Sequence, residues 1–289
     1  MERVLTGELM RGRRGLVMGV ANDHSIAWGI AKLLASHGAE LAFTYQGAAF
    51  ERRVRPLAES VNAAHLLQAD VEDDASLDTA FETLDKSWGR LDFLIHAIAF
   101  SDRNELKGRY VDTSRENFRR SLDISCYSFT DVARRARPLM LNSQAPGGPG
   151  LLTLSYAGSE RVFPNYNVMG VAKAALEASV RYLAVDLGAE GIRVNAVSAG
   201  PMRTLSGAAI GEARAMFKWT RLHAAVRRGL DLDDVGGAAL YLLSDLSGGV
   251  TGEVHHVDCG YNVVGMPRIS DLKAQGLSDK DLKEDAGDV

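Results

Sequence analysis

The stretch GLVMGVANDHSIAWGIAKLLASHGAELAFTYQG, Gly15–Gly47, decides the fold. It opens with a short apolar run, breaks at Gly19, resumes as an amphipathic pattern from Ile26 to His37, and ends in a second apolar run, Leu41–Tyr45. That is a strand, a helix and a strand in about thirty residues, the βαβ unit of a parallel sheet. Gly19 lets the backbone turn sharply off the first strand. Ser25 stands at a helix N-cap position, with Ile26 and Ala27 as the first helical residues. A helix N-terminus offers unpaired N–H groups and a positive dipole end, which suits a pyrophosphate. The small side chains of Ala21 and Ala27 leave room for one. The stretch is not the G-x-G-x-x-G fingerprint, and by itself it reads equally well as a structural turn.

Outward from this unit the same rhythm continues. Strands are expected at Gly15–Ala21, Leu41–Tyr45, Ala64–Ala69, Leu91–Ile98, Leu151–Ser155, Arg193–Ser198 and Glu253–Val257. Helices are expected at Ile26–His37, Ala48–Ser60, Ala75–Trp88, Arg115–Leu141, Asn165–Leu187 and Leu232–Leu243. Short Val/Ile/Leu-rich strands are those of a sheet buried on both faces. The expected fold is α/β: a single-domain, Rossmann-type, doubly wound parallel sheet of seven strands. Gly200–Arg228 is too long for a turn and predicts a helical substrate-binding lid over residues 200–228. The chain then divides into an N-terminal extension (1–14), a dinucleotide-binding domain (15–266) and a polar tail (267–289). The tail holds 4 basic and 6 acidic residues and is expected to be partly disordered or packed on a neighbouring subunit.

Composition narrows the function classes. Of 289 residues 46% are apolar and 24% charged, with a net charge of −4. That is globular, and it lacks the basic field of a nucleic-acid or membrane-surface protein. The longest apolar stretch, Leu91–Phe100, is interrupted by Asp92 and His96 and falls well short of the roughly 20 residues of a membrane span. The basic N-terminus has no apolar run behind it, so it is not a signal peptide. Two cysteines, Cys126 and Cys259, are too few for a disulfide framework and show no zinc spacing, so the expected setting is the cytoplasm, without metal. The arginine clusters at 11/13/14, 52/53/55 and 134/135/137 read as solvated faces. His255 and His256 are strand neighbours, so they face opposite ways and cannot share a metal.

Candidate site residues gather at strand ends. The second strand ends at Gln46, with no arginine before Arg52, which favours NADH over NADPH. The third ends in Asp70-Val71, which could hold an adenine, or Asp70 could cap the next helix. After the fifth strand come Tyr156, Tyr166 and Lys173. Tyr166 and Lys173 are seven apart, about 700° of helix at about 100° per residue, so they share one face. A tyrosine hydroxyl can donate to a developing oxyanion, and a nearby ammonium makes it more acidic and can bind a ribose hydroxyl. The spacing alone is also that of any amphipathic helix.

Together, GVANDHSIAWGIA (Gly19–Ala31), IHAIAF (Ile95–Phe100), PNYNVMGVAKAALEA (Pro164–Ala178) and Ile192–Pro201 followed by MRTLSGAAI carry a resemblance over about Gly12–Met266. The chain resembles the bacterial type I NADH-dependent enoyl-acyl-carrier-protein reductases of the short-chain dehydrogenase/reductase superfamily. Most of that superfamily uses Tyr-x3-Lys, which neither Tyr156 nor Tyr166 satisfies. The enoyl reductase branch uses Tyr-x6-Lys, which Tyr166 and Lys173 match. The resemblance implies reduction of a trans-2-enoyl thioester on acyl carrier protein by hydride from NADH. It implies that Tyr166 stabilises the enolate oxygen, Lys173 binds the nicotinamide ribose, and Tyr156 lines the substrate pocket. Gly19, Ser25, Ile26, Gln46, Asp70, Val71, Ala97, Lys173, Met202 and Thr204 would contact the dinucleotide. Ala99, Phe100, Met169, Leu205, Ala208 and Ile210, with Tyr156, would form the acyl pocket. Ala99 stands where the better-known members often carry glycine. In the lid, Gly207 and Gly211 would permit hinge motion, and Arg214, Lys218 and Arg221 could meet an acidic carrier, though each singly reads as a solvated residue. A homotetramer is also implied. The competing readings are a 3-ketoacyl reductase, against which the missing Tyr-x3-Lys argues, and a silent dinucleotide sensor, which would not need Tyr166 and Lys173.

Overall fold

The alternation read from the sequence closes into one sheet. The structure is a computed structural model and describes residues 6–202, 204, 213–274 and 276. Its strands are β1 (Arg14–Met18), β2 (Glu40–Tyr45), β3 (His65–Gln68), β4 (Phe93–His96), β5 (Gly150–Ser155), β6 (Arg193–Ala199) and β7 (Val254–Val257). They lie in the order β3-β2-β1-β4-β5-β6-β7, every neighbouring pair parallel. Parallel neighbours need crossovers, and helices supply them on both faces. On one face lie α1 (Ile26–Ser36), α2 (Ala48–Ser60) and α8 (Leu232–Leu243); on the other lie α3 (Asp74–Trp88), α5 (Ser128–Met140) and α6 (Asn167–Gly188). Successive strand residues serve opposite cores: Leu16 packs with α3, α5 and α6, and Val17 with α1 and α8. Both are fully buried, as a two-faced sheet requires. That reading fails at the edges, because β3 and β7 have only one neighbour and are partly exposed along their length.

Three local differences from expectation have physical causes. The helix expected over Arg115–Leu141 is α4 (Arg115–Leu122) and α5, joined by a π-helical turn at Asp123–Tyr127. One inserted residue per turn leaves the apolar pattern almost intact, so periodicity does not register it. The outer two arginine clusters are solvated only in part: Arg11, Arg134 and Arg137 are exposed, but one member of each is drawn inward. Arg13 reaches Asp245 at 2.6 Å, and Arg135 is nearly buried between Asp74, Asp78 and Asp131. The tail is not free where it begins, since a short α9 (Ile269–Ala274) is tied to the chain by the bidentate Arg227–Asp271 pair at 2.9 and 3.1 Å. Within the expected lid, α7 (Ala213–His223) is helical. Leu205, Ala208, Ile210, Gly207 and Gly211 lie outside the described residues. The strand order reverses between β1 and β4, and the crevice beyond their carboxyl ends is where such sheets bind ligands.

Candidate active site

Gly19 sits at the mouth of that crevice with φ +99°, a conformation that side chains rarely adopt. A Cβ there would lie 2.1 Å from the carbonyl oxygen of Ala97, just past β4. Two of the expected dinucleotide contacts are therefore in backbone contact, and only glycine fits between them. Ser25 is at the N-cap of α1, as expected, but its hydroxyl does not cap the helix. It turns back to accept N–H bonds from Ala21 (3.0 Å) and Asn22 (3.1 Å), closing the loop that follows Gly19. The helix has no side-chain cap and no acidic residue in its first turn, so the N–H groups of Ile26 and Ala27 remain suited to an anion. At the other side of the crevice, Gln46 donates to Asp70 at 2.9 Å. Asp70 does not cap α3; Asp73 does, accepting from Ala75 and Ser76. Asp70 instead joins the ends of β2 and β3, with Val71 half-buried beside it. Met202 is buried after β6, and Thr204 donates its N–H to the Met202 carbonyl at 2.9 Å.

The candidate chemical centre is built on the first two turns of α6. Tyr166 is the N-cap of that helix and Lys173 lies two turns on, both nearly buried. The backbone around Tyr166 is strained: Asn165 has φ +59° and Asn167 φ +38°. Asparagine tolerates that region best among residues with a side chain, and such strain concentrates at functional sites. Asn167 also donates to the carbonyls of Glu105 (3.1 Å) and Leu106 (3.2 Å), which pins the loop after β4 over the site. The Tyr156 ring meets Tyr166 edge-on with centroids 5.0 Å apart. Its hydroxyl donates to Met216 Sδ on α7 at 3.1 Å, so Tyr156 links the candidate Tyr166 to α7.

Burial dominates the electrostatics. It raises the Tyr166 hydroxyl above its ordinary range, and the Glu177 carboxylate adds to the rise. The expectation that Lys173 would make this hydroxyl more acidic is not met. Lys173 points its Nζ at the Leu154 carbonyl, 2.6 Å away. Burial pushes the Lys173 ammonium down to about 8, with Cys126 and Glu177 opposing. A neutral, protonated tyrosine is the form that donates a hydrogen bond.

The pocket residues come together in part. Met169 is buried with Leu106 and Tyr166, and Tyr156 and Phe163 pack against them. Phe100 is held through its backbone: its N–H donates to Ser125 Oγ at 2.9 Å, in the π turn, and Ser125 Oγ donates to its carbonyl at 3.1 Å. Arg120 lies over the Phe100 ring, 4.4 Å from its centroid, while making a bidentate pair with Glu72 (2.8 and 2.9 Å) next to Val71. Ala99 is exposed at the crevice. Sequence reading missed Leu106, Phe163, Asn167, Ser125, Arg120 and Glu177. The asparagines on both sides of Tyr166 were a readable signal of a special backbone; nothing in the sequence marks the others. His255 and His256 part as expected, His255 toward Tyr241 and His256 to Glu160 at 3.2 Å. Among the described residues no group could hold a metal ion, and no helix is long and apolar enough to cross a membrane.

Comparison with known proteins bears on this geometry. The profile of the family described as Enoyl-(Acyl carrier protein) reductase matches residues 19–262. The chain is 62% identical over 265 residues to enoyl-[acyl-carrier-protein] reductase [NADH] 2 of Rhizobium meliloti (strain 1021), covering 92% of this chain and 97% of that protein. Among solved structures it is similar to the enoyl-(acyl-carrier-protein) reductase of Anaplasma phagocytophilum in complex with NAD: 58% identity, TM-score 0.87, 91% of this chain and 99% of that one. It is also similar to the Bacillus cereus enoyl-acyl carrier protein reductase with NADP+ and an indole naphthyridinone: 49% identity, TM-score 0.86, 90% of this chain and 100% of that one.

Proposed function

The chain belongs to the enoyl-(acyl carrier protein) reductase family, within the short-chain dehydrogenase/reductase superfamily, and from that premise we propose how its own residues divide the work. The protein is an NADH-dependent enoyl-acyl-carrier-protein reductase of fatty acid elongation. It reduces the carbon–carbon double bond of a trans-2-enoyl thioester. Bound NADH supplies a hydride for the β-carbon of that thioester. As the bond forms, negative charge moves to the thioester oxygen, and a proton from solvent taken up at the α-carbon completes the reduction.

Tyr166 meets that charge. Its hydroxyl stays protonated and is aimed from a strained, rigid N-cap, so the donor is in place before the charge appears. Lys173 spends one donor on the Leu154 carbonyl, which fixes its Nζ, and turns the others to the nicotinamide ribose. Tyr156, Met169, Phe100 and Leu106 wall the acyl chain from water. Gly19, Ala97 and the uncapped start of α1 receive the pyrophosphate, which Thr204 also reaches, and the Met202 backbone holds the nicotinamide carboxamide. Gln46 with Asp70 takes the adenosine end. The Asp70 carboxylate bonded to a neutral Gln46, with no arginine in the sequence between Gln46 and Arg52, disfavours a 2′-phosphate and supports NADH over NADPH.

The observation that carries this reading is the junction of β5 and α6, which brings Tyr156, Tyr166 and Lys173 to the crevice where the sheet order reverses. The test is NADH oxidation by purified enzyme with an enoyl thioester, against a 3-ketoacyl thioester as the alternative substrate. Tyr166→Phe should lose roughly a hundredfold or more in kcat, the loss of one oxyanion donor being about 2.7–4 kcal/mol, with little change in NADH affinity. Unaltered turnover in Tyr166→Phe overturns the assignment.

Residues 15–266 act as the reductase domain, with residues 200–228 as its lid and 1–14 and 267–289 as extensions; the family match over 19–262 supports this. The natural substrate is carried on acyl carrier protein, supported by exposed Lys218 and Arg221 on α7. The functional form is a homotetramer, supported by exposed apolar side chains on α4 to α6. The protein works in the cytoplasm, which fits two free thiols, Cys126 and Cys259.

A further inference from the structure

One buried ionisable group has no part in the scheme above. Glu177 lies on α6 one turn beyond Lys173 and is 7% exposed. Its Oε1 accepts the hydroxyl of Ser159 at 2.6 Å and the hydroxyl of Ser155 in a shorter bond. These two serines bracket Tyr156: Ser155 is the last residue of β5, and Ser159 ends the 3₁₀ turn Ala157–Ser159 that follows Tyr156. The Ser159 N–H donates to the Tyr156 carbonyl at 2.9 Å, so the backbone closes the turn while the Ser159 hydroxyl, on its shorter bond, goes to Glu177. Gly158, inside the turn, lies so close to the Tyr166 ring that a Cβ would come within 2.3 Å of it. Any shift of the turn therefore moves both tyrosines.

We propose that Glu177 is a positioning residue for the reduction: its carboxylate clamps Ser155 and Ser159, fixes Tyr156 against Tyr166, and places a negative charge behind the Tyr166–Lys173 pair. The proposal rests on the reading of Tyr166, Lys173 and Tyr156 given above. A carboxylate oxygen accepting two hydroxyls makes strong, charge-assisted bonds. A buried carboxylate is costly unless so satisfied, and an apolar residue could fill the space under a plain structural turn. The charge also has a direction of effect. It favours the ammonium of Lys173 and the neutral hydroxyl of Tyr166. The other titratable groups facing Lys173 are His96 on β4 and Cys126 in the π turn; Tyr156 faces Tyr166.

The two functions of Glu177 separate experimentally. Glu177→Gln keeps an oxygen that accepts both hydroxyls and removes only the charge. Lys173 then loses its proton at lower pH, so the alkaline limb of kcat/KM moves acid by about half a pH unit or more. A purely structural residue would not move that limb. The profile is also recorded in a Cys126→Ser background, which removes the thiol facing Lys173. Ser159→Ala keeps the charge and breaks half of the clamp. Its KM for an enoyl thioester should rise severalfold, with the NADH Kd within about twofold of wild type. Neither variant depends on the more disruptive Glu177→Ala. A wild-type alkaline limb in Glu177→Gln, or a wild-type thioester KM in Ser159→Ala, overturns the proposal. If the wild-type enzyme itself fails to reduce the enoyl thioester, the underlying functional reading fails instead.

Discussion

His96 shows how far a single buried residue can bind a pH dependence into the fold. It ends β4, is fully buried, and lies between Ser128 and Thr153. Ser128 Oγ gives its proton to the Ile124 carbonyl at 2.6 Å, so His96 Nε2 must be the donor to Ser128, at 2.8 Å. Nδ1 then carries no proton, and Thr153 Oγ1, 3.2 Å away, divides its one proton between Nδ1 and the His96 carbonyl at 3.1 Å. Burial, with the Lys173 ammonium adding to it, pushes the imidazole down to about 3. An unfolded chain takes up this proton as pH falls through about 6.5, whereas the folded chain does not until about 3. The stability tied to neutral His96 is thus present above about pH 6.5 and is lost as pH falls, at about 1.4 kcal/mol per pH unit. His96→Gln, which keeps one donor and one acceptor, should remove that slope. Denaturant midpoints at fixed protein concentration should show its stability deficit shrinking by about 2 kcal/mol between pH 7 and pH 5. A constant deficit would mean that other groups carry the acid sensitivity. Sequence alone shows His96 only as an interruption in an apolar strand. Its partners come from α5 and β5, so no local pattern could assign its state.

At the scale of elements, legibility follows periodicity. The helix α6 was readable because Tyr166 and Lys173 repeat within its turns. The π turn before α5 was not, although it supplies Ser125 to hold Phe100 and Ile124 to orient His96 through Ser128. The N-cap position of Ser25 was readable, but its use of the hydroxyl to close the preceding loop was not, since both outcomes need the same residue at the same place. The clamp of Glu177 was invisible for the same reason: Ser155 and Ser159 lie on a different segment. The helix α7 carries a prediction of its own. Its Lys218 and Arg221 are exposed, and Trp219 is 42% exposed between them, next to the mouth guarded by Met216. An acidic carrier delivering an acyl chain past Met216 would meet these cations. Reversing both charges, Lys218→Glu with Arg221→Glu, should raise KM for a carrier-linked enoyl thioester about tenfold or more and weaken its salt dependence. KM for the same acyl group on coenzyme A should change far less. Equal effects on both substrates would place these residues at the pocket rather than at a carrier surface.

For the whole molecule, the strand order and the two-layered helix cover were legible because parallel strands admit few connections. What lies outside one protomer was not, since an outward apolar side chain looks the same in sequence as an inward one. The structure separates them. On α6, Val171, Tyr182 and Val185 share one outward face, with Tyr182 77% and Val185 79% exposed. Ala174 and Ala178 lie along the same stripe and leave space for a close helix approach. Tyr127, in the π turn, and Phe118, on α4, add apolar surface at 58% and 36% exposure. Apolar side chains this exposed and this contiguous are characteristic of association surfaces. A helix face that meets its own copy about a two-fold axis brings each residue near its counterpart. Charges placed there repel one another as well as losing burial. The wild-type protein should sediment at four times the 31.2 kDa protomer. Tyr182→Glu combined with Val185→Glu should fall to a smaller species at micromolar concentration, with unchanged helix content by circular dichroism. Tyr166 and Lys173 are at the other end of the same helix and on its inward face. Loss of activity in the dissociated variant would therefore show that assembly holds α6, and with it Tyr166, in place. A wild-type protein that sediments as a monomer would overturn the tetramer.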